Sequence, residues 1–244
     1  MEQYAWVQRP RGASGLHDPG RCRIRLVAFD VDGVIVPIRS SWGYLHERVG
    51  TTAESSLNYR LFMEGRIGYW EWMFLDTLAW VEAVPGITRW DLEQLFSEVP
   101  INRDAYEAIH ILREAGIESA LVSGGVDVLV SRVARELGIR YWVSPVLSFD
   151  PWGRLVPGGE PRLEADRKDR AVLSLARRLG YSMREVAFVG DSYWDLRGMR
   201  EACLAIAVNP HDERVVKEAD YVAKDLLDAA YFILEHSYTW KRRG

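Results

Sequence analysis

The sequence predicts an α/β fold, namely a doubly wound parallel sheet with a second, smaller unit inserted into it. Short apolar runs recur along the 244-residue chain, and amphipathic stretches with helical spacing separate them. Three of these helical stretches end at a glycine, and an apolar run follows each one: Gly116, Gly138 and Gly180. Because glycine commonly ends helices, these units are interpreted as helices that cross over between parallel strands.

The predicted strands are the apolar runs, which cover residues 24–30, 117–123, 139–143, 185–190 and 203–208. The predicted crossover helices cover residues 102–115, 126–137 and 166–179. In the first of these helices Ala105, Ile109 and Leu112 recur at helical spacing and form the stripe that we expect to face the sheet.

Two stretches interrupt this alternation. The longer one separates the first strand from its crossover helix by too many residues for a loop in a compact domain, and it is aromatic with no convincing strand. It predicts a small helical cap over residues 37–99, inserted into a core of residues 23–36 and 100–240. The shorter one, 144–160, has a turn around its centre and predicts a β-hairpin. Residues 1–22 lack the apolar segment of a secretory signal, and we expect a flexible N-terminal extension there.

Composition excludes two classes of partner. With 31 basic and 35 acidic residues the net charge is -4, which provides no cationic surface for nucleic acid or anionic lipid. No apolar run reaches the roughly 18 residues of a membrane span, so we expect a cytoplasmic protein with no membrane partner. Cys22 and Cys203 lie far apart in sequence, so we expect no disulfide framework and no thiolate metal site, as in a reducing compartment.

Polar residues follow three predicted strands at their carboxyl ends, where open parallel sheets bind ligands. Each group alone has a plainer interpretation, as a turn, a solvated lysine or a helix N-terminus. Together and in this order they favour a phosphate site with a hard cation. The groups, in chain order, are Asp30 and Asp32, the segment Ser123-Gly124-Gly125, Lys168 at a helix start, and Asp191 with Asp195.

Electrostatics explains why a cation is expected. Two carboxylates about 4 Å apart repel each other by about 4 kcal/mol at an effective dielectric constant near 20, and a phosphate adds to this. Lys168 alone cannot offset that repulsion, whereas Mg²⁺ suits a site of few carboxylates and a substrate phosphate. Zinc is not expected, because the histidines show no ligand spacing and are interpreted as surface or packing residues: His17, His46, His110, His211 and His236.

The ordered motifs resemble those of the haloacid dehalogenase-like hydrolase superfamily over residues 24–236, and the segment 121–125 with the helical insert resembles its phosphoserine phosphatase branch. The resemblance implies that Asp30 is the nucleophile that forms an aspartyl-phosphate, and that Asp32 is the general acid and base. It also implies that Ser123 and the backbone N–H groups of Gly124 and Gly125 bind the phosphoryl group.

The resemblance further implies that Lys168 neutralises charge on Asp30 and on phosphate. Mg²⁺ would be held by Asp30, the backbone carbonyl of Asp32 and Asp191, with support from Asp195. The expected substrate is a small-molecule phosphate ester, because members of the superfamily that are dehalogenases lack an acid at the position of Asp32.

Three alternatives remain open at this stage. A phosphotransferase would use the same residues with an acceptor other than water. A non-catalytic module that binds a phosphorylated metabolite is disfavoured, because none of the motif residues is missing. A protein phosphatase is disfavoured because a cap over the site excludes large substrates.

In phosphoserine phosphatases a Glu nine residues after the nucleophile meets the substrate amino group, and an Arg of the cap meets its carboxylate. Here Arg39 stands nine residues after Asp30, and Asp76 falls where the Arg would be. Both charges are reversed, so we expect Arg39 to bind a substrate carboxylate or second phosphate, and phosphoserine activity to be weak.

Aromatic residues are concentrated in the predicted cap. We expect them to form its core, and the alternatives are a pocket wall or the apolar contact of a homodimer. The residues concerned are Trp42, Tyr44, Tyr59, Phe62, Tyr69, Trp70, Trp72, Phe74, Trp80 and Trp90. Trp42 and Tyr44 are nearest the predicted entrance.

Overall fold

The computed structural model describes residues 22–241, with side chains up to residue 237. Of the predicted flexible extension over residues 1–22, residues 1–21 lie outside the described residues, and Cys22 is described and buried. No helix of the described part is long and apolar enough to cross a membrane.

The strands confirm the predicted α/β fold. They are β1 (Leu26–Phe29), β2 (Glu118–Val122), β3 (Tyr141–Val143), β4 (Val146–Phe149), β5 (Leu155–Glu160), β6 (Val186–Gly190), β7 (Leu204–Val208) and β8 (Tyr221–Ala223). Six of them form a parallel sheet in the order β3-β2-β1-β6-β7-β8. The five predicted sheet strands are all present and slightly shorter than predicted. The edge strand β8 was not predicted, because three half-buried residues are too short to show a period.

The helices are α1 (Ser41–Val49), α2 (Thr52–Met63), α3 (Tyr69–Ala83), α4 (Arg89–Ser97), α5 (Arg103–Glu114), α6 (Asp127–Leu137), α7 (Lys168–Arg178), α8 (Leu196–Glu201), α9 (Glu213–Glu218) and α10 (Leu226–Lys241). The three predicted crossover helices correspond to α5, α6 and α7. The predicted insert holds α1 to α4 and is helical, while its boundaries as a separate cap remain a prediction.

The sheet is covered on both faces, because side chains alternate between the two faces along β1. Val27 and Phe29 belong to the core that α5, α6 and α10 also enter, whereas Leu26 and Ala28 belong to the core that includes Val172 of α7. All four side chains of β1 are buried. Both faces must therefore be apolar, which is why the strand appears in the sequence as a continuous apolar run.

The hairpin confirms the second predicted insertion and packs against α3. β4 and β5 are antiparallel. The backbone N–H of Gly158 donates to Thr77 Oγ1 at 2.7 Å, and Trp70 Nε1 donates to the carbonyl of Gly159 at 3.2 Å. Gly159 has φ +145, and a Cβ there would collide with the backbone of Val146. Glycine is thus required where the hairpin meets α3.

The expectation that the cysteines form no disulfide was wrong. Cys22 and Cys203 are joined by a disulfide, with their Cα atoms 5.9 Å apart. Cys22 lies just before β1 and Cys203 just before β7. Because parallel strands begin at the same edge of a sheet, residues that precede them can meet although 181 positions separate them in sequence. Spacing along the chain did not reveal this proximity.

Candidate active site

Three predicted site residues meet at one edge of the sheet. β1 lies between β2 and β6 in parallel register, so the residues that follow these strands are neighbours. Asp30 follows β1, Ser123 follows β2 and Asp191 follows β6, with 5%, 0% and 2% of their surfaces exposed. Gly33 has φ +77, and a Cβ there would collide with the Asp191 carboxylate. A glycine therefore lets the loop after β1 approach the loop after β6.

Lys168 is held between two carboxylates. Its Nζ lies 2.7 Å from Asp30 Oδ2 and 2.7 Å from Asp195 Oδ1, and only 1% of its side chain is exposed. Burial alone would lower the pKa of Lys168, but the carboxylates of Asp195 and Asp30 outweigh it and raise the pKa. Lys168 therefore carries a positive charge in the interior of the protein.

Asp195 organises the loop after β6. Its Oδ2 accepts hydrogen bonds from the backbone N–H groups of Asp191 and Ser192, both at 3.0 Å, while its Oδ1 contacts Lys168. Both carboxylate oxygens of Asp195 are thus engaged by the protein. The supporting role of Asp195 at a metal ion stays a prediction.

The remaining carboxylates lie in a strongly negative environment. The pKa of Asp30 is raised to about 7, because burial and the charges of Asp195 and Asp32 outweigh the opposing effect of Lys168. Burial together with the charges of Asp195 and Asp30 raises the pKa of Asp191 to about 9. One lysine does not balance this group of acids.

The donor set fits Mg²⁺. Asp30, Asp191 and Asp195 each offer a carboxylate oxygen, and these oxygens lie within 4.8 Å of one another. Asp191 Oδ1 is buried and has no hydrogen-bond partner. A buried oxygen without a partner is costly unless a cation or water satisfies it, and an all-oxygen donor set is what Mg²⁺ prefers.

His211 also reaches this carboxylate. Its Nδ1 lies 3.2 Å from Asp191 Oδ2, with 36% of its side chain exposed. This contact could not be predicted from the sequence, because His211 lies in a loop twenty positions after Asp191 and outside any motif. His211 is an exposed residue, as expected, and it has an acidic partner that was not expected.

Ser41, which the sequence analysis missed, holds Asp32. Asp32 Oδ2 accepts hydrogen bonds from the Ser41 backbone N–H at 2.6 Å and from Ser41 Oγ at 2.7 Å. Ser41 Oγ in turn accepts from the backbone N–H of Val126 at 2.9 Å. Asp32 Oδ1 is buried without a partner. One oxygen of Asp32 is therefore fixed and the other is available.

The environment of Asp32 favours its protonated form. Burial raises the pKa of Asp32, and the hydrogen bonds from Ser41 oppose this. A Cβ on Gly125 would lie 2.7 Å from Ser41 Oγ and 3.0 Å from Asp32 Oδ2. The second glycine of the predicted phosphate-binding segment thus makes room for the Ser41–Asp32 contact.

The predicted phosphate-binding segment connects β2 to α6. The backbone N–H of Gly125 donates to Ser123 Oγ at 3.1 Å. The carbonyl of Gly124 accepts a hydrogen bond from Trp42 Nε1 at 2.9 Å, which ties α1 to this loop. The side chain of α1 residue Trp42 therefore sets the distance between the helical insert and the loop.

A cavity of about 120 Å³ joins these groups to the helical insert. We call one part the phosphate end, which is lined by Asp30, Asp32, Ser123, Gly124, Gly125 and Lys168. We call the other part the cap end, which is lined by Arg39, Ser40, Trp42, Tyr69, Trp72, Met73, Asp76 and Trp194. Ala165 and Ser192 complete the lining.

Arg39 and Asp76 both line the cavity, but they differ in burial and in partners. Arg39 is exposed and has no ion-pair partner among the described residues. Asp76 is 2% exposed; its Oδ1 accepts from Asn58 Nδ2 at 2.9 Å and lies 3.4 Å from His46 Nε2. His46 is buried, and its Nδ1 is 2.7 Å from Thr51 Oγ1. His46 is thus one of the expected packing residues, with a polar partner on each side.

Several aromatic residues of the insert take one of two expected roles, core or cavity wall, whereas Tyr59, Trp70 and Trp90 are exposed. Trp42 lines the cavity and stacks on the buried Trp80, with ring centroids 5.2 Å apart. Tyr44 does not line the cavity; its hydroxyl donates to the carbonyl of Leu95 at 2.9 Å and its ring stacks on Phe96. Trp194, which joins the cap end from the core, was overlooked because its motif was considered only for its acidic residues.

Comparisons with known proteins agree with this geometry. A family model described as haloacid dehalogenase-like hydrolase matches residues 24–202. A phosphoserine phosphatase of Albidiferax ferrireducens is 29% identical over 206 residues, which are 80% of this chain and 81% of that protein. Another, from Archaeoglobus fulgidus, is 31% identical over 207 residues, which are 84% of this chain and 56% of that protein.

Solved structures show the same fold. A phosphoserine phosphatase described as a phospho-aspartyl intermediate analogue has a TM-score of 0.70 at 21% identity, over 86% of this chain and 99% of that one. A probable phosphoserine phosphatase from Vibrio cholerae has a TM-score of 0.74 at 19% identity, over 95% of this chain and 69% of that one.

Proposed function

Because the chain belongs to the haloacid dehalogenase-like hydrolases and is a phosphoric monoester hydrolase, we propose that it is a Mg²⁺-dependent phosphatase acting through an aspartyl-phosphate on Asp30. Its substrate in this proposal is a small phosphorylated metabolite. The observation that carries the proposal is the placement of Lys168 Nζ at 2.7 Å from Asp30, at the edge where Ser123 and Asp191 also lie.

In the first step an oxygen of Asp30 attacks phosphorus, and the bond from phosphorus to the alcohol oxygen breaks. Lys168 favours the ionised, nucleophilic form of Asp30, whose burial raises its pKa. Asp30 Oδ1 also accepts a hydrogen bond from the backbone N–H of Val31 at 2.7 Å, which orients the carboxylate. Ser123 and the backbone of Gly124 and Gly125 line the space that the phosphoryl oxygens occupy.

Asp32 supplies the proton. Its Oδ2 is fixed by Ser41, so the unpartnered Oδ1 is the atom that donates a proton to the departing alcohol oxygen. In the second step Oδ1 takes a proton from water as the water attacks the phosphoryl group. Inorganic phosphate leaves and Asp30 is regenerated.

Asp30, Asp191 and the backbone carbonyl of Asp32 would hold Mg²⁺, and Asp195 would support the site by positioning the loop after β6. When bound, the ion supplies positive charge that offsets the repulsion between the carboxylates and the substrate phosphate. The all-oxygen donor set and the unpartnered Asp191 Oδ1 support this part of the proposal.

Arg39 is the proposed contact to the substrate outside its phosphoryl group. It lines the cavity, is exposed and has no ion-pair partner among the described residues, so its guanidinium is free to bind an anionic substituent or a phosphoryl oxygen. With Asp76 as the acid of the cap end, the charges differ from those expected for phosphoserine. We therefore propose that phosphoserine is not the preferred substrate.

The test is phosphate release from p-nitrophenyl phosphate and from a metabolite panel that includes phosphoserine, with and without Mg²⁺. We expect turnover that requires Mg²⁺, that Asp30→Asn abolishes, and that the exposed Asp225→Asn retains. Turnover by Asp30→Asn would contradict the aspartyl-phosphate mechanism. A best rate on phosphoserine would contradict the proposal about Arg39 and Asp76.

A further inference from the structure

The cap end combines aromatic rings with a buried carboxylate. Trp42, Tyr69, Trp72 and Trp194 line it, and Asp76 lies among them with 2% of its surface exposed. Oδ1 makes both contacts of the Asp76 side chain: it accepts a hydrogen bond from the amide of Asn58 and lies near the imidazole of His46. No lysine or arginine of the described residues forms an ion pair with it. A buried carboxylate that lines a cavity without such a partner indicates a cationic ligand.

The rings are held in place before any ligand binds. Trp72 stacks on Phe62 with ring centroids 4.6 Å apart and meets Tyr69 edge to face at 6.0 Å. Its ring centroid lies 6.3 Å from that of Trp194, so residues of the insert and of the core contribute to one wall. A cation within about 6 Å of such ring faces is attracted by their quadrupoles, most strongly by tryptophan.

The charges around this wall are negative. Burial raises the pKa of the Tyr69 hydroxyl, and the charges of Asp76, Glu164 and Asp166 raise it further. Two cations line the cavity: Lys168 is bound by Asp30 and Asp195, and the exposed Arg39 is left to bind a phosphoryl oxygen of the substrate. The field at the cap end therefore favours a positive substituent.

We propose that the cap end binds an alkylated ammonium group, so that the substrate is the phosphate monoester of an amino alcohol. The inference rests on the proposed function, because the phosphate end must hold the phosphoryl group of the same molecule. The rings favour an ammonium with several methyl groups over a primary ammonium, since methyl groups weaken its hydration and add apolar contact with the rings. Hydrolysis yields inorganic phosphate and the amino alcohol.

The probes are phosphocholine and its uncharged carbon isostere, 3,3-dimethylbutyl phosphate, which has the same shape without the charge. We expect kcat/KM of the unmodified protein to be at least about tenfold higher for phosphocholine, as expected for a desolvated cation–π site with an acid. Asp76→Asn and Trp194→Leu should each reduce this ratio at least about threefold. Trp90→Leu, at a tryptophan that is 64% exposed, is the matched control and should leave the ratio unchanged.

Each variant is first examined by circular dichroism and by its thermal unfolding temperature, so that a folding defect is recognised by a readout that does not involve the cavity. Should Asp76→Asn misfold, Trp194→Leu carries the test, because Trp194 is only partly buried. Equal kcat/KM for the two probes, or an unchanged ratio in the folded variants, would overturn the inference and leave the phosphatase proposal standing. Full activity of Asp30→Asn would overturn both.

Discussion

The two ends of the cavity are built from different kinds of contact. At the phosphate end the charged groups bind one another at short distances, as Lys168 binds Asp30 and Asp195 at 2.7 Å. At the cap end, aromatic rings surround Asp76, which has only an amide and an imidazole as partners. The phosphate end thus balances part of its negative charge with Lys168 and leaves the rest to the proposed Mg²⁺, whereas no lysine or arginine of the described residues pairs with the carboxylate of the cap end.

Removing the lysine charge tests the phosphate end most severely. Lys168→Met should reduce kcat with p-nitrophenyl phosphate by about 10³-fold or more, because it removes a preorganised positive charge from the reacting phosphoryl group. Lys224→Met, at an exposed lysine, is the control and should keep full activity. A loss below tenfold would show that the phosphate end does not depend on this ion pair.

Ser41→Ala tests the role of Asp32 as proton donor independently of the other residues of the phosphate end. It removes one hydrogen bond to Asp32 Oδ2, so proton transfer to the alcohol should become less efficient by about 10 to 100-fold in kcat. The loss should be large with an alkyl phosphate and small with p-nitrophenyl phosphate, whose leaving group needs no proton. Ser56→Ala on α2 is the control. Equal losses on both substrates would indicate a structural defect.

Trp42→Phe tests the link between the two ends. It keeps an aromatic ring against Trp80 but removes the hydrogen bond from Nε1 to the Gly124 carbonyl. A buried hydrogen bond of this kind is worth about 1 kcal/mol, so KM should rise about fivefold while kcat changes little. Unchanged steady-state kinetics would mean that the phosphate-binding loop keeps its place without this bond.

His46→Ala should have the smallest effect on catalysis. The imidazole connects Thr51 to Asp76, and its loss leaves polar groups in a buried place without a partner. The free energy of unfolding should fall by about 1–3 kcal/mol in urea titrations, while kcat with p-nitrophenyl phosphate stays within about twofold. A large fall in kcat would indicate that the cap end takes part in the chemistry.

The phosphate end could be predicted from the sequence because its residues directly follow strands. Asp30, Ser123 and Asp191 come at the carboxyl ends of β1, β2 and β6, and a continuous apolar run marks each strand. The order of the six strands in the sheet and the presence of β8 could not be predicted, because the pairing of parallel strands depends on contacts between distant segments. The fold class, the crossover helices and the hairpin were predicted from periodicity and turn residues.

The cap end could not be predicted in the same way. Aromatic residues serve equally as core and as cavity wall, and only the packing of α3 distinguishes Trp72, which lines the cavity, from Trp80, which is buried. Ser41 is the first residue of an ordinary helix, and nothing in its neighbourhood signals a contact with Asp32. The disulfide was mispredicted because 181 positions separate its cysteines.

That disulfide makes a closed covalent ring of everything between Cys22 and Cys203, and Asp30, Lys168 and Asp191 are all members of it. A protease that cut the backbone once inside the ring would open it without releasing a fragment. In the chain-entropy model, closing a ring of this size lowers the conformational entropy of the unfolded chain, which raises the free energy of the unfolded state by roughly 5 kcal/mol. Under oxidising conditions a nicked molecule would thus remain one molecule, and reduction would separate it into two pieces.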